Sequence, residues 1–230
     1  MPLTLYFHPL SSFCHKVLIA LYEHGIAFEK RIIDLANDAD RAELQSLWPL
    51  GKFPVIRDHA RQRDVPESSV IIEYLDRFYS GQQPLIPEDW DSALEVRLWD
   101  RFFDCHVQGP MQRIVADRLY GTNGDLNKER AALLSAYALL EQRLASRIWV
   151  ASPDFSLADC AAAPALFYAS TLVAFTDDHR HLSAYFERLV QRPSFQRVID
   201  EAHPYFVHYP FAEAIPQRFR QQSGKGESME

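Results

Sequence analysis

The chain lacks any apolar run long enough to cross a bilayer, any excess of positive charge, any internal repeat and any paired cysteines, and each lack removes a class of protein. Its longest unbroken apolar stretches, Val17 to Tyr22 and Ala161 to Tyr168, fall well short of the ~18 to 20 residues that a membrane-spanning helix needs. No membrane partner is expected. Lys and Arg number 24 against 31 Asp and Glu, giving 230 residues a net charge of -7. Without a basic run there is little surface to neutralise phosphates, so nucleic acid is not an expected partner either. Cys14, Cys105 and Cys160 are odd in number and far apart, which fits neither a disulfide framework nor the spacing of a zinc site. A reducing compartment suits them. The opening Met1-Pro2-Leu3-Thr4-Leu5 has no basic n-region and no small-residue cleavage site, so the expected location is cytoplasmic. Asp177-Asp178-His179-Arg180-His181 places two histidines in a charged loop that reads as solvated, and no metal is expected.

What is present divides in two. The first eighty residues alternate strand and helix signals, and the rest is helical almost throughout. Leu3 to Phe7 alternates in a β-prone run closed by His8-Pro9. Ser11 and Ser12 offer cap hydroxyls to a helix running to about His24, with Gly25 where a left-handed cap belongs. Ala27 to Asp34 reads as a second strand and Asp40 to Leu47 as a short helix. Pro54 to Asp58 and Gln62 to Val65 read as a hairpin around His59-Ala60. Pro66-Glu67-Ser68 then leads into a helix carrying Val70, Ile71, Tyr74, Leu75 and Phe78 at helical spacing. Ser80-Gly81, Pro84 and Pro87 mark a linker. Beyond it a long amphipathic helix runs from Ser92 to about Leu119, bent at Gly109-Pro110 because proline removes a donor and clashes with the preceding turn. A helix from Asp125 to about Ile148 follows, then shorter ones near Ser156 to Thr171, Leu182 to Gln191 and Ser194 to Ala202. The expected division is a first domain over 1–80, a linker over 81–91, a helical domain over 92–216 and a disordered tail over 217–230.

Four places could carry chemistry. Ser11-Ser12-Phe13-Cys14 stands at a strand-to-helix turn where a βαβ unit can carry Cys-x-x-Cys, with serine replacing the first cysteine. A helix start has unpaired N–H groups and a positive partial charge, which favour an anion; two serines there are equally ordinary caps, and Cys14 an ordinary buried residue. In Gly51-Lys52-Phe53-Pro54-Val55-Ile56 a proline opens a strand. A cis bond would turn the neighbouring N–H and C=O outward toward a peptide-like ligand, whereas a trans bond would be a plain strand start. Glu67-Ser68 at a helix entry suits a ligand's amine or carboxylate, or simply caps. Ser156-Leu157-Ala158-Asp159 is a capping box with Asp in the usual Glu place, and is structural.

In order and spacing these elements strongly resemble the cytosolic glutathione transferase superfamily over nearly the whole chain. The first half supplies Leu5-Tyr6-Phe7, the Ser-x-x-Cys turn, Gly-Lys-x-Pro-Val, and Glu-Ser before Ile-Ile-x-Tyr-Leu. The second supplies Phe155-Ser156-Leu157-Ala158-Asp159 and Arg192-Pro193-Ser194. The resemblance implies an α/β thioredoxin-like N-terminal domain followed by an all-α C-terminal domain, in a serine-type, bacterial-like member. It further implies glutathione as cosubstrate, a small hydrophobic electrophile as second substrate, and a homodimer with each first domain against its partner's helical domain.

Carried over by residue, the resemblance makes Ser11 the hydroxyl that activates glutathione and puts Phe13 among the glutathione contacts. It has Phe53 bond the cysteinyl backbone through its main chain before a cis Pro54, Glu67 and Ser68 hold the γ-glutamyl end, and Lys52 lie near the glycyl carboxylate. Phe103, Val107 and Met111 would line the electrophile's pocket. Trp48-Pro49 departs from the Asn-Pro that often precedes the Gly-Lys turn. Tyr6 competes with Ser11, because other branches use a tyrosine at the end of this strand. The alternatives are a glutathione-dependent disulfide reductase that would use Cys14, an isomerase whose motif Phe13 does not match, and a non-catalytic ligand-binding protein on the same fold.

Overall fold

Leu3–Phe7 forms strand β1 and is buried at all five residues, as a strand must be when both faces of its sheet are covered. The computed structural model describes residues 2–79, 81 and 83–220. Leu3, Leu5 and Phe7 enter the main apolar core, while Tyr6 points to the other face and packs with Ile33, Leu44, Leu47 and Val55. Helix α1 (Ser12–Glu23) crosses to β2 (Glu29–Ile32), which pairs in parallel with β1. Strand β3 (Val55–Asp58) pairs antiparallel on β1's other side, and β4 (Arg63–Pro66) pairs antiparallel with β3, giving the order β2-β1-β3-β4. Pro66 is tolerated in β4 because that strand is an edge. Helix α2 (Asp38–Leu47), capped by the Asn37 side chain, covers Tyr6's face; α1 and α3 (Ser68–Tyr79) cover the other.

The cap expected at Gly25 is a Schellman motif. Gly25 has φ +65°, its N–H reaches the Tyr22 carbonyl at 3.1 Å, and the Ile26 N–H reaches the Leu21 carbonyl at 3.0 Å. Strand β2 is shorter than the Ala27 to Asp34 expected from the sequence.

The second half holds α4 (Trp90–Phe102), a π-helical turn (Phe103–Gln108), α5 (Gly109–Tyr120), α6 (Asn127–Leu144), α7 (Leu157–Ser170), α8 (Arg180–Val190) and α9 (Pro193–Ala202). Two 3₁₀ turns, His203–His208 and Ala212–Ala214, precede α10 (Gln217–Arg220). The bend expected at Gly109-Pro110 takes the form of that π turn. Pro110 has no N–H for the His106 carbonyl and its ring would press on it; the chain widens instead, and the Gly109 N–H bonds the Asp104 carbonyl five residues back. Helix α4 starts at Trp90 rather than Ser92 because Asp89 caps it, accepting from the Ser92 N–H at 2.9 Å. The expected tail begins later than residue 217, since Phe219 of α10 is buried with its ring 5.2 Å from that of Phe167. Ser80 at the end of the expected first domain, Gln82 of the expected linker and residues 221–230 of the expected tail lie outside the described residues.

Helix α7 is buried from Leu157 to Ala169, all round its circumference. It lies against α1, α4 and α8, so one core runs through both halves. Its capping box forms as expected: the Asp159 carboxylate takes the Ser156 N–H at 2.9 Å, and beyond the box it also accepts from the Tyr185 hydroxyl at 2.5 Å. No helix among the described residues is long and apolar enough to cross a membrane.

Candidate functional site

Strand register gathers three of the four sequence signals. Tyr6 pairs with Val55, and Val55 with Pro66, so these residues form one row across the sheet. The segments that adjoin the row, namely the turn before Ser11, Lys52-Phe53-Pro54 and Glu67-Ser68, therefore emerge together at one end of the sheet. A ring stack between His8 and Phe53, with centroids 5.8 Å apart, joins the first two directly.

Ser11 is the N-cap of α1, with extended backbone (φ −81°, ψ 118°). Its N–H bonds the His8 carbonyl at 3.0 Å, and its Oγ accepts from the Cys14 N–H at 3.3 Å. Capping uses a lone pair, and among the described residues the Ser11 proton faces only the Cys14 sulfur, a weak acceptor. Ser12, one residue on, is buried and donates its own proton to Gln108 Oε1. Tyr6, the competitor, faces α2 on the opposite side of the sheet from α1. Cys14 is wholly buried, and burial pushes its thiol up to about 12, which suppresses the thiolate that disulfide exchange requires.

The Phe53-Pro54 peptide is cis. Phe53 is half-buried, Pro54 buried and Lys52 exposed; Lys52 makes no ion pair among the described residues. Glu67 is exposed with φ +68°, in a region that a non-glycine, non-Asn residue rarely enters. Its carbonyl takes the Ile71 N–H at 2.8 Å and so opens α3, where Ser68, the first helical residue, is buried. Strained non-glycine residues cluster at ligand clamps, and Glu67 stands beside a helix start at the same sheet end as two other loop ends.

A buried polar network lies behind this row. The Lys16 ammonium, with no exposed surface, contacts Asp100 Oδ1 at 2.5 Å, Asp104 Oδ2 at 3.0 Å and Ser69 Oγ at 2.9 Å. Ser69 Oγ in turn donates to Asp100 Oδ2 at 2.8 Å, and Arg101 pairs with both Ser69 and Asp104. Burial pushes the Asp104 carboxyl up, against the pull of Lys16. The sequence pattern did not single out Lys16, Asp100, Asp104 or Gln108; the one available signal was a lysine inside the apolar stretch from Cys14 to Leu21. His8 was also missed. Its Nδ1 accepts from the Leu10 N–H at 3.2 Å, and burial holds its pKa below the ordinary value.

Phe103, Val107 and Met111 are all buried in the common core, because the apolar stripe on this helix is the face it turns to α7. Arg101, Cys105 and His106 point outward, with Phe102 half-buried and its ring 5.4 Å from that of His106. A cavity of about 220 Å³ opens near the turn, between Phe7, Pro9 and Ile32 on one side and Val198, Ala202 and Tyr205 on the other. His179 bonds Thr176 Oγ1 at 3.0 Å through Nδ1 and packs edge-on to Tyr137. Among the described residues no group of three or more His, Cys, Asp and Glu side chains is placed to hold a metal ion.

Comparison with known proteins bears on the same residues. Residues 5–83 match the family described as glutathione S-transferase, N-terminal domain, and residues 102–193 match glutathione S-transferase, C-terminal domain. A stringent starvation protein A homolog of Histophilus somni is 30% identical over 208 residues, covering 88% of this chain and 92% of that protein. Glutathione S-transferase F7 of Arabidopsis thaliana is 29% identical over 203 residues, 84% of this chain and 96% of its own. A solved glutathione S-transferase from Methylobacillus flagellatus, with glutathione bound, superposes with a TM-score of 0.72 at 25% identity, covering 85% of this chain and 98% of that one.

Proposed function

The chain belongs to the glutathione S-transferase family, and from that premise we propose that it binds glutathione across the row of Ser11, Phe53 and Glu67-Ser68 and activates its thiol for attack on a small hydrophobic electrophile. The observation that carries this reading is the Ser11 hydroxyl at the start of α1, held by no acceptor stronger than the Cys14 sulfur among the described residues and emerging at the same sheet end as the strained Glu67. Glutathione would lie along the row, with its cysteinyl backbone on the main chain of Phe53, its γ-glutamyl end at Glu67 and Ser68, its glycyl carboxylate toward Lys52, and Phe13 in contact beside the sulfur.

The magnitudes fit that arrangement. A free thiol has a pKa of about 8.5, and lowering it by ~2 units needs ~2.7 kcal/mol of preference for the anion. A helix N-terminus supplies ~0.3 to 1 kcal/mol, rising to ~2 when partly buried, and one hydrogen bond to a charged group ~1.5 to 3. Neither is safely enough alone. Ser11 combines the two, because it is both the hydroxyl and the cap. The thiol proton leaves to solvent, the sulfur lone pair forms the new C–S bond, and the electrophile's leaving group departs with its bonding pair. Retention on immobilised glutathione together with turnover in a screen of electrophiles tests this reading; failure of both removes it.

Glu67→Ala with Ser68→Ala should weaken glutathione binding by about tenfold to a hundredfold, the value of one hydrogen bond to a charged group. The fold should persist, because Glu67 is exposed and its side chain makes no internal bond among the described residues. Calorimetry showing unchanged affinity would reject the assignment of these two residues.

A homodimer is part of the same proposal. Trp90, Leu94 and Leu98 recur every four residues on α4 and are 70%, 53% and 57% exposed, and Val70 on α3 is 54% exposed. Such a stripe on a soluble helix suits a partner surface. Light scattering should give about twice the 26.6 kDa chain mass at micromolar concentration; a monomer mass would rule it out.

One observation favours a second reading. Relatives named stringent starvation protein A homologs match the chain as well as plant transferases do, which keeps open a glutathione-binding protein without turnover. Retention on immobilised glutathione with no electrophile consumed would select it.

A further inference from the structure

We propose that Gln108, contributed by the helical half, selects Ser11 over Ser12 as the hydroxyl that meets the glutathione sulfur, and holds the start of α1 in position for it. The inference rests on the glutathione reading above. Two adjacent serines stand at the start of α1, and by residue type either could donate to a thiolate. A hydroxyl has one proton. Ser12 gives its proton to Gln108 Oε1, while among the described residues the Ser11 hydroxyl faces only the Cys14 sulfur, a weak acceptor that a thiolate would outcompete.

The orientation of the Gln108 amide follows from its neighbours. Gln108 Nε2 donates to Asp104 Oδ1 at 3.2 Å, and a carboxylate can only accept, so the amide oxygen is the atom that faces Ser12. Asp104 is itself fixed, by Lys16 at 3.0 Å and by Arg101. Gln108 and Lys16 have no exposed surface, and Ser12, Asp100 and Asp104 have very little. A misplaced partner among such buried groups would leave an unsatisfied polar group, so the arrangement resists alternatives. The same cluster reaches Ser69, the residue after Ser68, through Lys16. One set of hydrogen bonds from the second half thus ties together the starts of α1 and α3, the two helix ends that the glutathione reading uses. Gln108 touches no substrate in this scheme; it is a positioning residue.

The test uses the full-length protein and reads two quantities, the pKa of bound glutathione from thiolate absorbance against pH, and glutathione affinity by calorimetry at a pH below that pKa. Gln108→Leu should raise the bound-thiol pKa by about half a unit to one unit, a threefold to tenfold loss of thiolate below the pKa, with affinity within about twofold of the parent. Ser12→Ala should give the same shift, and Ser12→Thr, which keeps a hydroxyl, should restore the parent value. Should Gln108→Leu not fold, the two Ser12 variants decide alone. A depressed pKa in the parent that stays unchanged in Gln108→Leu and Ser12→Ala overturns the positioning role and leaves the glutathione reading intact. A parent that binds no glutathione, or binds it without lowering its pKa, overturns the glutathione reading and this inference with it.

Discussion

Ser11→Ala is expected to raise the pKa of bound glutathione by about one to two units, because it removes a hydrogen bond to a charge worth ~1.5 to 3 kcal/mol. At a pH below the parent value that is a tenfold to hundredfold loss of thiolate, and kcat/KM should fall with it. The same substitution removes the cap that receives the Cys14 N–H, which costs about 1 kcal/mol of stability. Ser11→Gly separates the two effects, since glycine costs a cap only a few tenths of a kcal/mol and carries no hydroxyl. Tyr6→Phe should leave the pKa where it is, because Tyr6 packs against α2 on the far face of the sheet. Cys14→Ala should do likewise, its thiol being buried and pushed up to about 12. A larger rise with Tyr6→Phe than with Ser11→Ala would transfer the role. Loss of a disulfide-reducing activity with Cys14→Ala would support the redox alternative.

The ease of reading that site from sequence has a physical basis. Ser11, Phe53-Pro54 and Glu67-Ser68 each sit at the end of a strand or the start of a helix, and such places carry local signals: a cap residue, a proline, a polar pair before an apolar period. Strand register then does the gathering. Gln108 and Lys16 carry no local signal of their roles, since their partners lie 96 and 88 residues away, at Ser12 and Asp104. Phe103, Val107 and Met111 pose the opposite difficulty. Apolar residues at every fourth position mark the face a helix buries, and nothing in that spacing tells a core from a substrate pocket. The π turn was half legible: Pro110 announced a disturbance, but whether the chain kinks or widens is settled by what packs around it.

Lys16→Met is expected to destabilise the protein by about 3 to 5 kcal/mol in urea denaturation, a large part of the ~5 to 15 that a domain usually has. The loss comes less from the broken pairs than from what remains, because Asp100 and Asp104 would be left buried without the ammonium that contacts both. A surface pair provides the contrast. Arg218 and Glu187 are each nearly half exposed, and Arg218→Ala should cost at most about 1 kcal/mol. Equal effects from the two substitutions would mean that the Lys16 cluster admits water or rearranges freely, and its role in holding α1 would go with it.

Helix α1 has almost no face of its own to show to water. Apart from Phe13, every residue from Ser12 to Leu21 is buried, between the sheet on one side and α7 and α9 on the other. The alanines of α7 leave room for that approach. A change of size in either helix must therefore be answered in the other, although the two lie on opposite sides of the boundary near residue 80. The halves form a matched pair: a first half transplanted onto a different relative's helices would carry α1 into a groove shaped for another side-chain set, and the Ser11 turn at its tip would shift with it.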